Sequence, residues 1–281
     1  MNDTRGRVGF YDVSVAYDGA AVIQGLSLDV VPGELVTVLG PSGCGKTTLL
    51  LALAGLLPIS GGSITVDGRR ATVPGPDRAM VFQDLDQLLP WKTVQKNVEF
   101  GAKHGWASSG KASGVGRQKD VRELLSMVGL SQVSGRYPVH LSGGMRQRVA
   151  IARALAADPD VLLMDEPFSA LDAQTREQLQ LELLSIWRRA GKTIIFITHS
   201  IDEAAILGSR ILVMGRNGRV MEDFINSAVP TGDQARDIAA RAEVQVHLRA
   251  ALDSCFSEAT PPAYASSSPP AGAWNVSREP E

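Results

Sequence analysis

Cysteine is nearly absent from this 281-residue chain, which has only Cys44 and Cys255, far apart and in no metal-ligand spacing. Two such residues suit neither a disulfide framework nor a zinc site, so a disulfide-free chain of the cytosol is the simplest expectation. No excess of either charge is present: 28 Lys and Arg face 30 Asp and Glu, a net charge of −2. General nucleic-acid binders carry a basic excess or stripe, and no nucleic-acid partner is expected. Long apolar runs are missing too. The longest, Leu49 to Ile59, is broken by Gly55 and Pro58 and falls short of the roughly 20 residues of a membrane helix. The segment Met1 to Arg7 lacks the apolar core of a signal peptide. If the chain works at a membrane, a partner supplies the spanning part.

What is present suits a globular protein able to bury a core, with 44% hydrophobic and 21% charged residues. Residues 8–31 hold short alternating runs (Val13 to Tyr17, Val22 to Val31) that predict antiparallel strands. Pro32-Gly33-Glu34 turns the chain into Leu35 to Leu39, an apolar run of buried-strand type. A loop Gly40 to Gly45 and a buried helix Lys46 to Leu56 follow, then strands at Ser63 to Val66 and Ala79 to Phe82. From about Leu85 to Ala157 the pattern turns helical, with Thr93 to Lys103, Arg117 to Val128 and a helix after Gly144 that sets Met145, Val149, Ala152 and Leu155 on one side. The glycine- and serine-rich Gly105 to Gly116 predicts a flexible surface loop. Strands Val161 to Met164 and Thr193 to Thr198, separated by a helix from Thr175 to Arg189, argue a parallel sheet with right-handed crossovers. Ile211 to Met214 and Arg219 to Met221 close it around a turn at Asn217-Gly218. Thr231 to Phe256 can form a packing helix aligned through Ile238, Ala242, Val246 and Leu252, and beyond it the Pro-, Ala- and Ser-rich tail 257–281 predicts disorder.

Three segments carry chemistry. Gly40, Pro41, Ser42, Gly43, Cys44 and Gly45 form a loop, and Lys46, Thr47 and Thr48 open the helix after it. This fits G-x-x-x-x-G-K-[ST] in its required place between strand and helix. Glycines let the backbone wrap phosphates, the helix N-terminus favours their charge, Lys46 would reach the β- and γ-phosphates, and the Thr47 hydroxyl would ligate Mg²⁺. Asp165 and Glu166 end an apolar strand, where ligands of open α/β sheets gather. Asp165 is the expected Mg²⁺ partner, and Glu166 the group that polarises attacking water or takes its proton. Between these lies Leu141-Ser142-Gly143-Gly144-Met145-Arg146-Gln147, a serine–glycine turn opening a helix. Its free N–H groups make a second anion surface, and two surfaces for one nucleotide imply two facing copies.

In this order the motifs resemble the nucleotide-binding subunit of ATP-binding cassette transporters, from about Val8 to Met221. The resemblance identifies Ser169-Ala-Leu-Asp172 as the D-loop that contacts the opposite subunit, and Gln83 as the glutamine that senses Mg²⁺ and the membrane partner. It makes His199 the switch histidine at the γ-phosphate and Tyr17 the aromatic that stacks on adenine. Ser142, Gly143, Gly144 and Gln147 would complete the nucleotide shell of the opposite copy. The implied fold is an α/β P-loop cassette: a RecA-like parallel core, an N-terminal antiparallel subdomain and a helical signature subdomain at about 85–157. The cassette would span 8–230, with a C-terminal helix at 231–256.

Implied with it are ATP and Mg²⁺, a head-to-tail homodimer, and hydrolysis as the stroke that reopens it. Gln83 to Trp91, Leu141 to Arg148 and Ile201-Asp-Glu-Ala204 look like the nitrate, sulfonate and taurine importer branch. That branch works with a separate permease and a periplasmic or extracellular solute-binding protein, at the cytoplasmic face of the membrane. The permease would be received at Asp84 to Trp91, whose Leu88, Leu89, Pro90 and Trp91 are apolar for a loop; Trp91 packing inside the protein is the alternative. A cassette ATPase uncoupled from transport is the competing function, but such relatives usually carry two cassettes or a long coiled coil, and no heptad run occurs here.

Overall fold

The computed structural model describes residues 5–17, 20–105, 120–226 and 234–257. Most of the expected loop at 105–116 and the tail beyond Ser257 lie outside these residues. Among them no helix is long and apolar enough to cross a membrane.

Two sheets organise the molecule. β1 (Val8–Tyr17), β2 (Ala20–Val30), β4 (Gly61–Val66) and the two-residue β5 (Arg69–Arg70) form an antiparallel sheet of order β2-β1-β4-β5. The central sheet runs β10-β9-β3-β8-β7-β6, comprising β3 (Leu35–Leu39), β6 (Arg78–Val81), β7 (Val161–Asp165), β8 (Thr193–Thr198), β9 (Arg210–Met214) and β10 (Val220–Ile225). Its pairings are parallel apart from the β9–β10 edge. β3, β7 and β8 are buried along their whole length, which explains why they read as unbroken apolar runs.

Side chains alternate across this sheet and divide the core in two. Val161, Leu163, Ile195 and Ile197 face helix α1 (Lys46–Ala54) and the antiparallel sheet. Leu162, Met164, Ile194 and Phe196 face α4 (Gly143–Ala156) and α5 (Ala173–Ala190), and the same cluster takes in α2 (Val94–His104) and α3 (Val121–Met127). A third cluster packs α6 (Ile201–Leu207) and α7 (Gln234–Ser257) beside β9.

Helix starts follow local side-chain chemistry. Thr93, Asp120, Ser142, Asp172 and Ser200 each accept a backbone N–H of the turn they open. The cap at Asp120 opens α3 at Val121, residues 117–119 of the expected helix lying outside the described residues, and the cap at Asp172 starts α5 at Ala173. α6 and β5 are too short to leave a periodic signal in the sequence.

Two expectations are corrected here, and the open alternative for Trp91 is decided. On α7 the buried face is Leu248, Ala251 and Cys255, with Val244 and Leu252 against it, while Ile238 and Val246 are 64% and 70% exposed. Apolar residues surround this helix, so periodicity alone does not select a face, and the surface of α6 and β9 decides it. Leu88 belongs to the core rather than to a partner groove. Trp91 is 70% exposed and does not pack inside.

α2 and α4 approach closely at Gly101, where an added Cβ would lie 2.0 Å from the Arg153 carbonyl oxygen. Gly101→Ala must push these helices apart. Chemical denaturation should show a loss of about 1–3 kcal/mol, the range for overpacking, whereas alanine at the open Gly135 has no such contact to break.

Candidate functional site

Parallel register brings the chemistry to one edge. Leu39 pairs with Thr198, and Asp165 with Ile197. The loop after β3, the Asp165-Glu166 pair after β7 and His199 after β8 therefore emerge side by side. Gln83 leaves β6, whose Val81 pairs with Met164. It is exposed on that same edge.

The phosphate loop is shaped by its glycines. A Cβ at Gly40 would lie 2.3 Å from the Met214 carbonyl oxygen, so only glycine lets the loop pass β9. Gly45 caps α1 at φ +108° and offers no side chain to the first N–H groups, and no acidic residue lies in that turn. The helix start is thus an unsatisfied array of donors with a favourable dipole for an anion. Lys46 is buried, its ammonium donating to the Gly40 carbonyl at 2.8 Å and the Pro41 carbonyl at 2.9 Å. Cys44 is also buried, burial pushes its thiol up, and its Sγ accepts from the Lys46 ammonium at 3.9 Å. Ser42, Gly43 and Thr47 are exposed, with Pro41 and Thr48 half-buried.

The Thr47 hydroxyl donates to Asp165 Oδ1 at 3.2 Å. Asp165 is buried, and desolvation holds its carboxyl above the usual range; the Thr47 bond opposes this and the charge of Glu166 adds to it. A hard-oxygen pair of this kind, hydroxyl beside an under-solvated carboxylate, fits Mg²⁺. Among the described residues no cluster of three or more His, Cys, Asp or Glu side chains could hold a metal by itself.

Glu166 sits at φ +42°, a left-handed conformation that a non-glycine residue holds only under constraint. Its N–H donates to the Ile197 carbonyl at 3.1 Å, and its own carbonyl accepts the Ser169 hydroxyl at 2.9 Å. The side chain is thereby aimed at His199, with Glu166 Oε2 2.9 Å from Nδ1. A carboxylate holding an imidazole at the mouth of a phosphate loop can accept a proton from water and orient the ring toward a phosphate.

The signature turn opens a helix on the face of the central sheet opposite to α1. Leu141 and α4 belong to the helical cluster, Cys44 and α1 to the opposite one. Ser142 caps α4, its Oγ accepting the Met145 N–H at 3.3 Å, and it remains exposed. Gly144 is buried, and a Cβ there would lie 2.5 Å from Thr175 Cγ2, so its small size serves packing against α5. Gln147 does not join this surface: it is fully buried, and neither amide atom has a hydrogen-bond partner. Five residues past the cap it points about 140° round the helix from Ser142, toward the core. Asp172 is exposed, and its acceptance of the Thr175 N–H holds its carboxyl below the usual range. Tyr17 ends β1, and its side chain lies outside the described residues.

Sequence reading missed Glu203 and Arg176. Glu203 is buried on α6 with Oε2 2.5 Å from the Thr198 hydroxyl, and Arg176 lies 3.8 Å from its other oxygen. The sequence marks Glu203 through Ser200-x-x-Glu203, a capping-box pattern, and as part of Ile201-Asp-Glu-Ala204, neither of which pairs it with Arg176.

A carboxyl raised by burial costs stability once pH exceeds its folded value, and costs none below the unfolded value, where both states are protonated. Asp165→Asn should therefore raise the melting temperature of the nucleotide-free protein at pH 8. The gain should shrink as pH falls through the carboxylate range. Thermal melts across that range check it, and a variant that melts lower at pH 8 contradicts the desolvation account.

The ABC transporter family model matches residues 23–169. The chain is 52% identical over 237 residues to the Taurine import ATP-binding protein TauB of Rhizobium johnstonii, covering 82% of this chain and 88% of that one. It is 49% identical over 208 residues to the protein of that name from Roseobacter denitrificans, covering 74% and 75%. A solved dimeric ATP-binding cassette in a post-hydrolysis state, bound to ADP and Pi, superposes with a TM-score of 0.66 at 32% identity, covering 78% of this chain and 98% of that one. Motif order, site geometry and these likenesses agree: the chain belongs to the ABC transporter family, as one of its ATP-binding cassettes.

Proposed function

We propose that this chain is the ATP-hydrolysing subunit of an importer for a small anion such as taurine, another sulfonate or nitrate. It would act as a homodimer on the cytoplasmic face of the membrane, beneath a separate permease that receives substrate from an extracytoplasmic solute-binding protein. One observation carries the reading. Lys46, Thr47, Asp165, Glu166 and His199 gather at one sheet edge, whereas the exposed Ser142 turn opens α4, which packs on the opposite face of the sheet from the phosphate-loop helix α1. The taurine importers among its relatives support the cargo class.

In this reading the N–H groups of Gly43 to Thr48 and the Lys46 ammonium bind the β- and γ-phosphates of ATP. Thr47 and Asp165, with Gln83 nearby, would hold Mg²⁺, whose charge would offset that of the phosphates. Glu166 takes a proton from water as its oxygen attacks the γ-phosphorus. The bond from that phosphorus to the β-phosphate oxygen breaks, and ADP and inorganic phosphate separate. His199, held by Glu166, contacts the γ-phosphate, and Tyr17 stacks on the adenine. Ser142 and Gly143 of a second copy close the shell, with the D-loop at Asp172 lying against the first copy. ATP then bridges the dimer and its hydrolysis releases the bridge. The exposed segment around Trp91 is where the permease would dock.

Glu166→Gln keeps the phosphate loop intact and removes the proton acceptor. ATP turnover should fall by about 10²-fold or more, and gel filtration with ATP should show a lasting dimer. Normal turnover would remove Glu166 from the reaction. Trp91→Ala should leave the melting temperature unchanged, because the ring is 70% exposed, yet weaken co-purification with the permease. A lower melting temperature with permease binding intact would make Trp91 a packing residue.

A further inference from the structure

Ser200-x-x-Glu203 has the spacing of a capping box, in which the glutamate should return to the serine N–H. Only half of that box forms. The Ser200 hydroxyl accepts the Glu203 N–H at 3.3 Å, but the Ser200 N–H goes to Thr198 Oγ1 at 2.9 Å. The Glu203 carboxylate is turned inward, where it is 4% exposed. One oxygen takes the hydroxyl of Thr198, the residue before His199, and the other faces Arg176 Nε at 3.8 Å. Arg176 in turn donates from Nη2 to the Leu171 carbonyl at 2.9 Å, the residue before Asp172.

A buried carboxylate is costly unless it is compensated, so Glu203 favours keeping Thr198 hydrogen-bonded to one oxygen and the Arg176 charge beside the other. Burial pushes this carboxyl up, and the Thr198 bond and the charges of Arg176 and His199 oppose the effect. Contacts thus run from the D-loop carbonyl to Arg176, across a 3.8 Å ion pair without a hydrogen bond to Glu203, and on to the strand end that carries His199. Two of the residues so joined, Thr198 and Leu171, each adjoin a functional residue on a different loop.

We propose that Glu203 and Arg176 are positioning residues that tie the D-loop to the switch histidine, so that a second copy seated against Asp172 aligns His199 and Glu166 for hydrolysis. This rests on the hydrolytic roles proposed above and assigns what governs them. The coupling makes hydrolysis at one site respond to dimer closure, and it predicts that breaking the link separates nucleotide binding from cooperative turnover.

The test uses the full chain and ATP. Glu203→Gln keeps the side-chain shape and the Ser200 cap but removes the charge facing Arg176. Arg176→Lys keeps the charge and loses the fork that reaches Leu171, so it covers the case in which Glu203→Gln fails to fold. Each should leave ATP affinity within about twofold while lowering kcat by about tenfold to a hundredfold, the scale of a small misplacement of catalytic groups. The Hill coefficient for ATP should fall from near the two-site limit toward about 1. The double variant should lose no more than either single one. Folded variants with wild-type kcat and Hill coefficient, or losses that add in the double variant, overturn the link. A fall in melting temperature matched by a fall in ATP affinity also overturns it, because that is the mark of a merely structural role. Glu166→Gln run alongside separates the two readings. If it hydrolyses ATP normally, the hydrolytic assignment falls and this proposal with it; if it is inactive while Glu203→Gln is fully active and cooperative, this proposal alone falls.

Discussion

The register of three adjacent parallel strands is the constraint on which the molecule depends. Leu39 beside Thr198 and Asp165 beside Ile197 bring the glycine loop, the acidic pair and His199 to one edge. A slip of one residue would turn each buried side chain to the other face of the sheet. Burial on both faces resists that slip. Leu162 and Phe196 are committed to the helical cluster, Leu163 and Ile197 to the cluster around α1. Apolar burial and register therefore reinforce each other, and the site inherits its precision from the core.

At the edge the chain accepts arrangements that a purely stable protein would avoid. Asp165 is a buried carboxylate with a neutral hydroxyl as its closest partner. Lys46 is a buried ammonium among backbone carbonyls. Glu166 holds a left-handed backbone against its intrinsic preference. Groups kept under-solvated and strained in this way are pre-organised for an anionic ligand and its counter-ion, and they cluster where the chemistry is.

The helical unit obeys different priorities. α2 and α4 approach so closely that Gly101 meets the Arg153 carbonyl, and Gly144 seats α4 against Thr175 of α5. The turn at Ser142 is thus presented on a firmly packed helix rather than on a loose loop. α5 then links that unit to the sheet edge through Asp172 and Arg176 at its N-terminal end.

Much of this was legible in the residues themselves. Loops, strand ends and caps are local: Gly40 to Thr47, the Ser142 turn and Asp165-Glu166 stand out through short-range chemistry, whereas Asp172 and His199 were identified only by the resemblance of the motif order to the family. The parallel core was legible for the same reason, since strands buried on both faces write continuous apolar runs. What the sequence could not decide depended on which neighbour a side chain meets. α7 carries apolar residues all around, and only the surface of α6 and β9 selects Leu248, Ala251 and Cys255 over Ile238 and Val246. Helical phase turns Gln147 inward, and burial takes Leu88 into the core while leaving Trp91 outside. Glu203 reads as a cap until Thr198 and Arg176, from other elements, are placed beside it. Local chemistry is written in adjacent residues; pairings between residues distant in sequence exist only once the chain has folded.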